Sequence, residues 1–262
     1  DALPIFPLLA YYLSQVVFNQ SDRIMISHIT STSDAAMYGV AYNLAMILTF
    51  VLNAINGSYV PWLYGKIKKN NAQDNKSISL ILIMLMGLII LCVIWYAPEI
   101  ILIMAGKQYS VAIYVVAPVS MSLLLLFYSQ LFINIEFYYE EKKMLVYGSI
   151  GAAVLNIILN GLLIPIFGFV AAGYTTLISY IVFALSNYYT MRLMLKKRKL
   201  DDDMYDYKLL LLLFVAFMIS GFLGVALYGN LILRILITLV VFGLLVINKN
   251  KFIDALKKIK ER

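Results

Sequence analysis

Charged side chains are scarce in this 262-residue chain, and their absence is concentrated in long windows. Only 13% of the residues are charged and 63% are hydrophobic, whereas soluble domains carry about 25% charged residues. A transmembrane helix needs ~20 consecutive apolar residues, and six charge-free windows reach that length. The sequence therefore predicts a polytopic membrane protein. The windows are 2–21, 35–65, 77–98, 108–135, 144–191 and 209–233.

The sequence also lacks the residues that most catalytic and metal sites need. Its one cysteine, Cys92, lies in an apolar segment and excludes a disulfide framework. Its one histidine, His28, is expected in an exposed outer loop. The chain contains no GxxxxGK[ST] phosphate loop, no metal-ligand spacing and no Ser/His/Asp set. We therefore expect no enzymatic activity and no cofactor or metal.

The charge-free windows predict about eight transmembrane helices and an all-α fold, since barrel strands would give ~10-residue alternating segments. The window 144–191 is long enough for two helices, which "PIFG" (165–168) divides: Pro165 ends one helix and Gly168 reverses the chain. After Arg234, which can snorkel to an interface, an apolar run reaches residue 248. The predicted spans are 3–27, 35–60, 78–97, 109–135, 144–165, 169–192, 208–228 and 231–248.

Basic residues predict the orientation of these helices. Of the 21 Lys and Arg residues, 18 fall in the loop 61–77, the turn near 140, the loop 192–208 and the tail 249–262. The positive-inside rule places these segments, and both termini, in the cytoplasm. Orientation explains the positive charge without a nucleic-acid partner. The chain begins with Asp1 and is expected to be a piece of something longer.

Charge patterning also divides the chain. Residues 1–192 are expected to form a six-helix lobe, 193–207 a solvated charged cytoplasmic linker, 208–248 an additional two-helix hairpin and 249–262 a basic cytoplasmic tail. The outer connections, at 165–169 and 228–230, are too short to hold an extracellular domain.

Polar residues recur at helical spacing on five of the predicted spans, so each span has one polar side. They can be interhelical hydrogen bonds worth about 0.6 kcal/mol each, or they can line a shared water-filled cavity. Whole stripes on several helices favour the cavity. The stripes consist of Tyr12, Gln15, Asn19, Asp22 and Arg23; Tyr38, Tyr42, Thr49, Asn53 and Asn56; Gln130, Asn134 and Tyr138; Ser149, Asn156 and Asn160; and Thr175, Thr176, Ser179, Ser186 and Asn187.

Asp22 and Arg23 are the most informative members of these stripes, because an unpaired charge inside a membrane costs roughly 2.5 to 3.5 kcal/mol. In one interpretation the first helix ends there and both charges are hydrated. In the other, "IMISHI" (24–29) extends the helix, Arg23 binds an anionic group in the cavity, and Asp22 is its partner when the cavity is empty. Glu136, at the inner end of the fourth span, is expected to be solvated.

Two segments resemble a known family. "FYYEEKKMLVYGSIGAAVLNIILNGLLIPIFGFVAAGYTTLISY" (137–180) is similar to the C-terminal half of polysaccharide-biosynthesis flippases, with N-x3-N, L-I-P-x-x-G and S-Y. The family's Gly-Ala-Ala is replaced here by Val170, Ala171 and Ala172. "SDRIMISHITSTSDAAMYGVAYNL" (21–44) resembles the family's Asp-Arg, apolar run and Y-[GA]-x-A. These flippases, including the Wzx type, belong to the multidrug/oligosaccharidyl-lipid/polysaccharide exporter superfamily.

The resemblance implies a MATE-like transporter fold in which this chain is the second six-helix lobe plus two extra C-terminal helices, without the first lobe. It implies a flippase in the bacterial cytoplasmic (inner) membrane. Such a protein moves an undecaprenyl-pyrophosphate-linked oligosaccharide to the outer leaflet for O-antigen, capsule or exopolysaccharide assembly. Its partners would be this substrate, membrane lipids and the polysaccharide polymerase machinery. The last two helices would form a groove for the lipid tail.

The expected substrate site combines a cation with hydrogen-bonding walls. Arg23, beside Asp22, is expected to bind the pyrophosphate. The residues expected to contact the sugars are Tyr12, Gln15, Asn19, Tyr42, Asn53, Gln130, Asn134, Asn156 and Asn160. The alternatives are a drug/cation antiporter of the same superfamily, a membrane glycosyltransferase or polymerase, and a non-transporting scaffold or defective fragment.

Overall fold

The computed structural model describes residues 20–141, 143–200 and 203–247, together with Leu13 and Val16. These residues form helices and their connections, without strands, and the predicted all-α fold class is confirmed for them. The helices are α1 (described over 20–29), α2 (Thr32–Lys68), α3 (Asn75–Trp95), α4 (Ala97–Met104), α5 (Ile113–Tyr138), α6 (Lys143–Phe167), α7 (Val170–Lys197), α8 (Tyr207–Ala226) and α9 (Leu231–Ile247). Short 3-10 helices occupy Ala72–Asp74 and Lys107–Ala112.

Six of the described helical segments are long and apolar enough to cross a membrane: Thr32–Lys68, Ala72–Trp95, Lys107–Tyr138, Val146–Phe167, Val170–Lys197 and Tyr207–Ala226. They correspond to the second through seventh predicted spans. The apolar part of α9, Leu231–Val241, is shorter. Most of the first predicted span, the last residue of the eighth and the basic tail lie outside the described residues.

Two predicted helix ends are wrong, namely the end of the span 35–60 before Pro61 and the end at Pro165. Pro61 lies inside α2, which continues to Lys68, and Pro165 lies inside α6, which continues to Phe167. Membrane helices tolerate proline because neighbouring groups and local adjustments satisfy the carbonyl that loses its donor. The reversal itself is at Gly168, as expected, with φ of 71°, a conformation that glycine adopts without steric cost.

Helix α5 occupies the centre of the bundle. It packs against α7, α2, α3 and α8, while α6 lies against α7. Most of the side chains of α5 are buried, including the polar residues Ser120, Ser122 and Ser129. Ser122 and Ser129 donate hydrogen bonds to carbonyls one turn earlier in α5, at 2.7 and 2.9 Å. Such back-bonding satisfies a hydroxyl without a partner helix.

The connections α2–α3, α5–α6 and α7–α8 meet at one end of the bundle, which we call the basic end. Lys76 forms an ion pair with Asp203, and a pocket of about 290 Å³ is lined by residues of all three connections, including Asn70, Tyr139 and Leu200. The three connections at this end are the ones that carry the basic loops 61–77, near 140 and 192–208, which the sequence predicted to lie on one side.

The segment 193–207 was predicted to be a solvated linker, and this is wrong for Met204 and Tyr205, while residues 196–199 are exposed. Met204 and Tyr205 are buried. The Tyr205 hydroxyl donates to the carbonyl of Leu131 at 2.7 Å, and the Asn75 amide donates to the carbonyl of Met204 at 3.1 Å. A buried tyrosine needs a partner for its hydroxyl, and α5 provides it. Met204 and Tyr205 are therefore packed against the bundle, whereas Asp203 is exposed.

The end opposite the basic end is closed by Arg234 of α9. Arg234 is 2% exposed and donates to both carboxylate oxygens of Glu99 in α4, at 2.8 and 2.6 Å, and to the Trp95 carbonyl. A bidentate pair fixes geometry as well as charge, so this contact attaches α9 to α3 and α4.

Close helix packing attaches α8 to the same surface. The ring of Trp95 covers Gly224, where a Cβ atom would lie 2.1 Å from the Trp95 Cδ1 atom. The ring of Phe217 in α8 covers Gly87 of α3 in the same way. Small residues allow such close approach of membrane helices.

Candidate functional site

The Asp22 carboxylate is buried where α1, α2, α6 and α7 meet. It is 1% exposed and accepts hydrogen bonds from three helices: Tyr38 Oη at 2.5 Å, Asn160 Nδ2 at 2.6 Å and Thr176 Oγ1 at 2.7 Å. Tyr38 lies about 9 Å from the start of α2, by the rise of 1.5 Å per residue. The carboxylate is therefore well inside the helical bundle, away from the basic end.

A second layer of hydrogen bonds orients these donors. Asn156 Oδ1 accepts from Ser21 Oγ at 3.1 Å and from Asn160 Nδ2 at 3.2 Å, while Asn156 Nδ2 donates to Thr176 Oγ1 at 3.3 Å. Thr175 Oγ1 donates to Asn160 Oδ1. We call Ser21, Asp22, Tyr38, Asn156, Asn160, Thr175 and Thr176 the Asp22 cluster.

Helical periodicity explains how the sequence builds the Asp22 cluster. Asn156 and Asn160 are four residues apart on one face of α6, and the turn at Gly168 brings this face against Thr175 and Thr176 of α7. Both asparagines are fully buried. In this structure their hydrogen bonds connect the α6–α7 hairpin to Asp22. This is the packing role, which was one of the two roles that the sequence left open; the other was substrate contact.

Arg23 lies on a different side of α1, since consecutive helical residues are about 100° apart. Its Nη2 atom donates to Asn43 Oδ1 at 2.6 Å, and its guanidinium lies over the Tyr42 ring, 4.8 Å from the centroid. The predicted pairing of Asp22 with Arg23 is wrong, because Asp22 is held by Tyr38 and the α6–α7 hairpin. Helix α1 does continue past both residues to Ile29, as the second interpretation required, and His28 is exposed.

Arg23 is only partly satisfied by the described residues. The guanidinium is half-buried, and its Nε atom is buried without a hydrogen-bond partner among them. Asn43, its amide partner, is exposed. A guanidinium carries five N–H donors in a planar fork suited to carboxylate or phosphate oxygens. The site therefore offers an anion a half-buried guanidinium beside an exposed amide.

An exposed face of α2 continues from this point along the helix, and we call it the open face. Its residues recur every three or four positions and combine amides with large apolar groups. Phe50 is 76% exposed and Ile47 51% exposed. The open face consists of Asn43, Ile47, Phe50, Asn53, Ala54, Gly57, Ser58, Pro61 and Gly65.

The other predicted site residues are dispersed. Asn53 is exposed on the open face. Asn134 is buried and donates to Asn56 Oδ1 at 2.9 Å, so it joins α5 to α2. Gln130 is half-buried, and its Oε1 atom lacks a partner among the described residues. The structure thus brings Asp22 together with Asn156 and Asn160, and Arg23 together with Tyr42. Three predicted site residues, Tyr12, Gln15 and Asn19, lie outside the described residues.

Several residues of these two sites were absent from the predicted site. Tyr38, Thr175 and Thr176 were in the polar stripes, and their spacing was the signal that could have placed them beside Asp22. Asn43 was missed because it stands alone among apolar neighbours. Glu136 was predicted to be solvated, which is wrong: it is 1% exposed and accepts a hydrogen bond from Thr190 Oγ1. Across the part of the chain that the structure describes, no three His, Cys, Asp or Glu residues are grouped to hold a metal ion.

More than half of this chain is similar in sequence to known proteins. The sequence profile of the MatE family matches residues 7–162, which include α2 to α5 and most of α6. A curated relative, "Lsg locus putative protein 1" of Haemophilus influenzae, is 25% identical over 160 residues, covering 58% of this chain and 38% of that protein. The chain thus spans about two fifths of the length of the curated relative that it matches. No solved structure matches significantly.

Proposed function

Because this chain belongs to the MatE family and is a multi-pass membrane protein, we propose that it forms one lobe of a transporter for lipid-linked oligosaccharides. The cargo is an undecaprenyl-pyrophosphate-linked glycan that moves from the inner to the outer leaflet for surface polysaccharide assembly. The membrane is the bacterial inner membrane, with the basic end in the cytoplasm. The resemblance of segments 21–44 and 137–180 to polysaccharide-biosynthesis flippases supports this choice of substrate class.

The observation that carries the proposal is the position of Arg23. It is a cation within an apolar helix, its hydrogen bonds to the described residues go to neutral groups, and its side chain is half-buried. A permanent intramembrane charge without a counter-ion is costly, so a mobile anion that docks there gains more than it would in water. A pyrophosphate provides such an anion, with oxygens that suit a guanidinium fork.

The surroundings of Arg23 fit the rest of such a cargo. The amides of Asn43 and Asn53 can exchange hydrogen bonds with sugar hydroxyls, while Phe50 and Ile47 provide apolar surface. These side chains lie on the open face, where a second lobe would complete the cavity. Rocking of two lobes around a site at their interface is how many secondary transporters alternate access.

The Asp22 cluster supports a role in coupling rather than in cargo binding. Four helices meet at one carboxylate, and the arrangement depends on the donors that this carboxylate accepts. A bound proton or monovalent cation would change which donors it can accept. Binding at Asp22 would therefore alter the packing of α1 and α2 against the α6–α7 hairpin. Because the open face lies on α2, its orientation relative to the hairpin would change as well.

The proposal is tested in cells that carry the intact transporter. Arg23→Ala should abolish surface polysaccharide while the protein remains inserted in the membrane at its normal level. Arg23→Lys should retain part of the activity if charge alone matters. Arg198→Ala, which removes an arginine at the basic end and leaves the open face unchanged, is the matched control. Unchanged polysaccharide in the Arg23→Ala strain would exclude Arg23 from cargo binding.

The buried Asp22 favours a second candidate, a drug/cation antiporter, because a membrane carboxylate is the group that a cationic substrate requires. Accumulation of cationic dyes separates the two candidates. An antiporter predicts that Asp22→Asn raises dye accumulation and leaves surface polysaccharide intact. A flippase predicts that Asp22→Asn leaves dye accumulation unchanged and reduces surface polysaccharide.

A further inference from the structure

A second buried carboxylate lies far along the chain from the Asp22 cluster, near the basic end of α5. Glu136 is 1% exposed, and its Oε1 atom accepts a hydrogen bond from Thr190 Oγ1 of α7. Its Oε2 atom is buried and has no hydrogen-bond partner among the described residues. Asp22, in contrast, accepts hydrogen bonds at both carboxylate oxygens.

A second unused acceptor lies on the same face of α7. Asn187, three residues before Thr190, is 1% exposed, and its Oδ1 atom is buried without a partner in the described part of the chain. Its Nδ2 atom donates to the Phe183 carbonyl at 2.8 Å. A buried acceptor on α5 and another on α7, one helical turn from the Thr190 partner of Glu136, therefore lack a donor among the described residues. Burying an acceptor without a donor costs about 1–3 kcal/mol, and more if the acceptor is charged.

Among the described residues, the charged groups near the basic end do not supply that donor. Glu141, on the α5–α6 connection, is another carboxylate and pairs with Arg198 at 3.5 Å. Arg192 of α7 lies over the rings of Tyr188 and Tyr207. From α2, Tyr64 packs on the ring of Tyr138. Lys66 pairs with Asp74, and Lys76 pairs with Asp203.

We propose that Glu136, Thr190 and Asn187 form a proton-binding site between α5 and α7, separate from the Asp22 cluster. A proton on Glu136 Oε2 converts an unsatisfied acceptor into a donor and removes the unpaired charge from the buried position. Thr190 continues to donate to Oε1. A metal cation fits less well, because it would need more oxygen ligands than this carboxylate, hydroxyl and amide provide.

Proton binding at this site would favour close packing of α5 and α7, which contact each other along much of their length. Loss of the proton would leave an unpaired carboxylate between them and favour its hydration. The site thus links protonation to the separation of two central helices at the basic end. This inference concerns the helices themselves and does not depend on the cargo named above.

Infrared difference spectroscopy of the purified intact transporter in lipid tests the inference, without any substrate. The spectrum of the wild type minus that of Glu136→Gln at neutral pH should contain the carbonyl band of a protonated carboxylic acid. Uniform 13C labelling of glutamate should shift this band to lower frequency, which separates it from Asp22. Glu99→Gln is the matched control, since Glu99 pairs with Arg234, and its difference spectrum should contain only carboxylate bands.

A second variant keeps the test independent of the folding of Glu136→Gln. Thr190→Val removes the donor to Oε1 and retains the acid, so the carbonyl band should shift while Thr190→Ser leaves it in place. Absence of a glutamic-acid carbonyl band from the wild type at neutral pH would overturn the inference. A band that persists unchanged in both Glu136→Gln and Thr190→Val would overturn it as well.

Discussion

Asp22 and Arg23 are adjacent in α1, yet the structure places them in opposite environments. Asp22 is sealed among four helices, and both of its carboxylate oxygens accept hydrogen bonds. Arg23 is half-buried at the open face, and its hydrogen bonds to the described residues go to the Gly39 carbonyl and the Asn43 amide. The first arrangement is typical of a group that holds helices together, and the second of a group that can still accept a ligand. Two adjacent residues of one helix can thus carry a structural charge and a binding charge, because they point in different directions.

Arg234 shows what a structural arginine looks like in the same chain. Its guanidinium donates to both oxygens of Glu99 and to the Trp95 and Tyr228 carbonyls, and it is 2% exposed. Arg23 lacks a carboxylate partner among the described residues. This difference is the basis for assigning anion binding to Arg23 rather than to Arg234.

The largest expected effect is on transport by Arg23→Ala. Hydrogen bonds to charged groups contribute about 1.5–3 kcal/mol, so transport at low substrate concentration should fall by about 10- to 100-fold. Reconstituted vesicles with labelled lipid-linked glycan provide the measurement. The thermal stability of the variant should remain close to that of the wild type; a large loss of stability would mean that Arg23 is a structural charge like Arg234.

The next largest effect is on stability in the sealed cluster. Asp22→Ala removes the acceptor for three hydrogen bonds, each worth about 0.6 kcal/mol in a membrane, so the free energy of unfolding should fall by roughly 2 kcal/mol. Denaturant titration in detergent measures this loss. Asp22→Asn, which keeps the shape but not the charge, should lose less. If Asp22→Ala unfolds like the wild type, the cluster does not hold the helices together.

A smaller effect is expected from pH at the Arg234–Glu99 pair. The hydrogen bonds from Arg234 hold the pKa of the Glu99 carboxyl below its usual range. The stabilisation is therefore fully present above the usual glutamate pKa of about 4.3 and is lost as the pH falls through the lowered value. Partly exposed pairs contribute up to about 1 kcal/mol. The acid-dependent loss of stability should be reduced in Glu99→Gln. An identical acid profile for this variant and the wild type would mean that the Arg234–Glu99 pair does not stabilise the attachment of α9.

The smallest stability effect is expected at the open face itself. Asn53 is exposed, with no hydrogen bond recorded to the described residues, so Asn53→Ala should change the free energy of unfolding by less than about 0.5 kcal/mol. Any effect should appear in glycan transport instead. Destabilisation comparable to that of Asp22→Ala would show that the open face is packed in the intact protein.

The helical fold could be predicted from the sequence because charge spacing and helical period are local properties. Six described spans agree with it, and Gly168 reverses the chain as expected. The grouping of Asp22 with Asn156 could not be predicted, since it depends on how the α6–α7 hairpin rotates against α1. Pairing Asp22 with Arg23 failed because neighbours in sequence point in different directions on a helix.

The burial of Glu136 and the docking of Tyr205 have the same explanation. Near a helix end, composition favours solvent, and only the tertiary packing of α5 against α7 and the α7–α8 connection decides otherwise. The polar stripes therefore contained many of the residues that form interhelical hydrogen bonds, but they did not predict which partners these residues have.

Direct binding to the purified intact transporter tests the central claim, that Arg23 holds an anionic cargo while Asp22 holds the helices. Native mass spectrometry with an undecaprenyl-pyrophosphate-linked oligosaccharide should detect a bound complex with the wild type and with Arg198→Ala, which removes an arginine away from the open face. For Arg23→Ala, which should keep its thermal stability, the bound fraction should fall by at least about tenfold. Equal binding by wild type and Arg23→Ala would contradict the account.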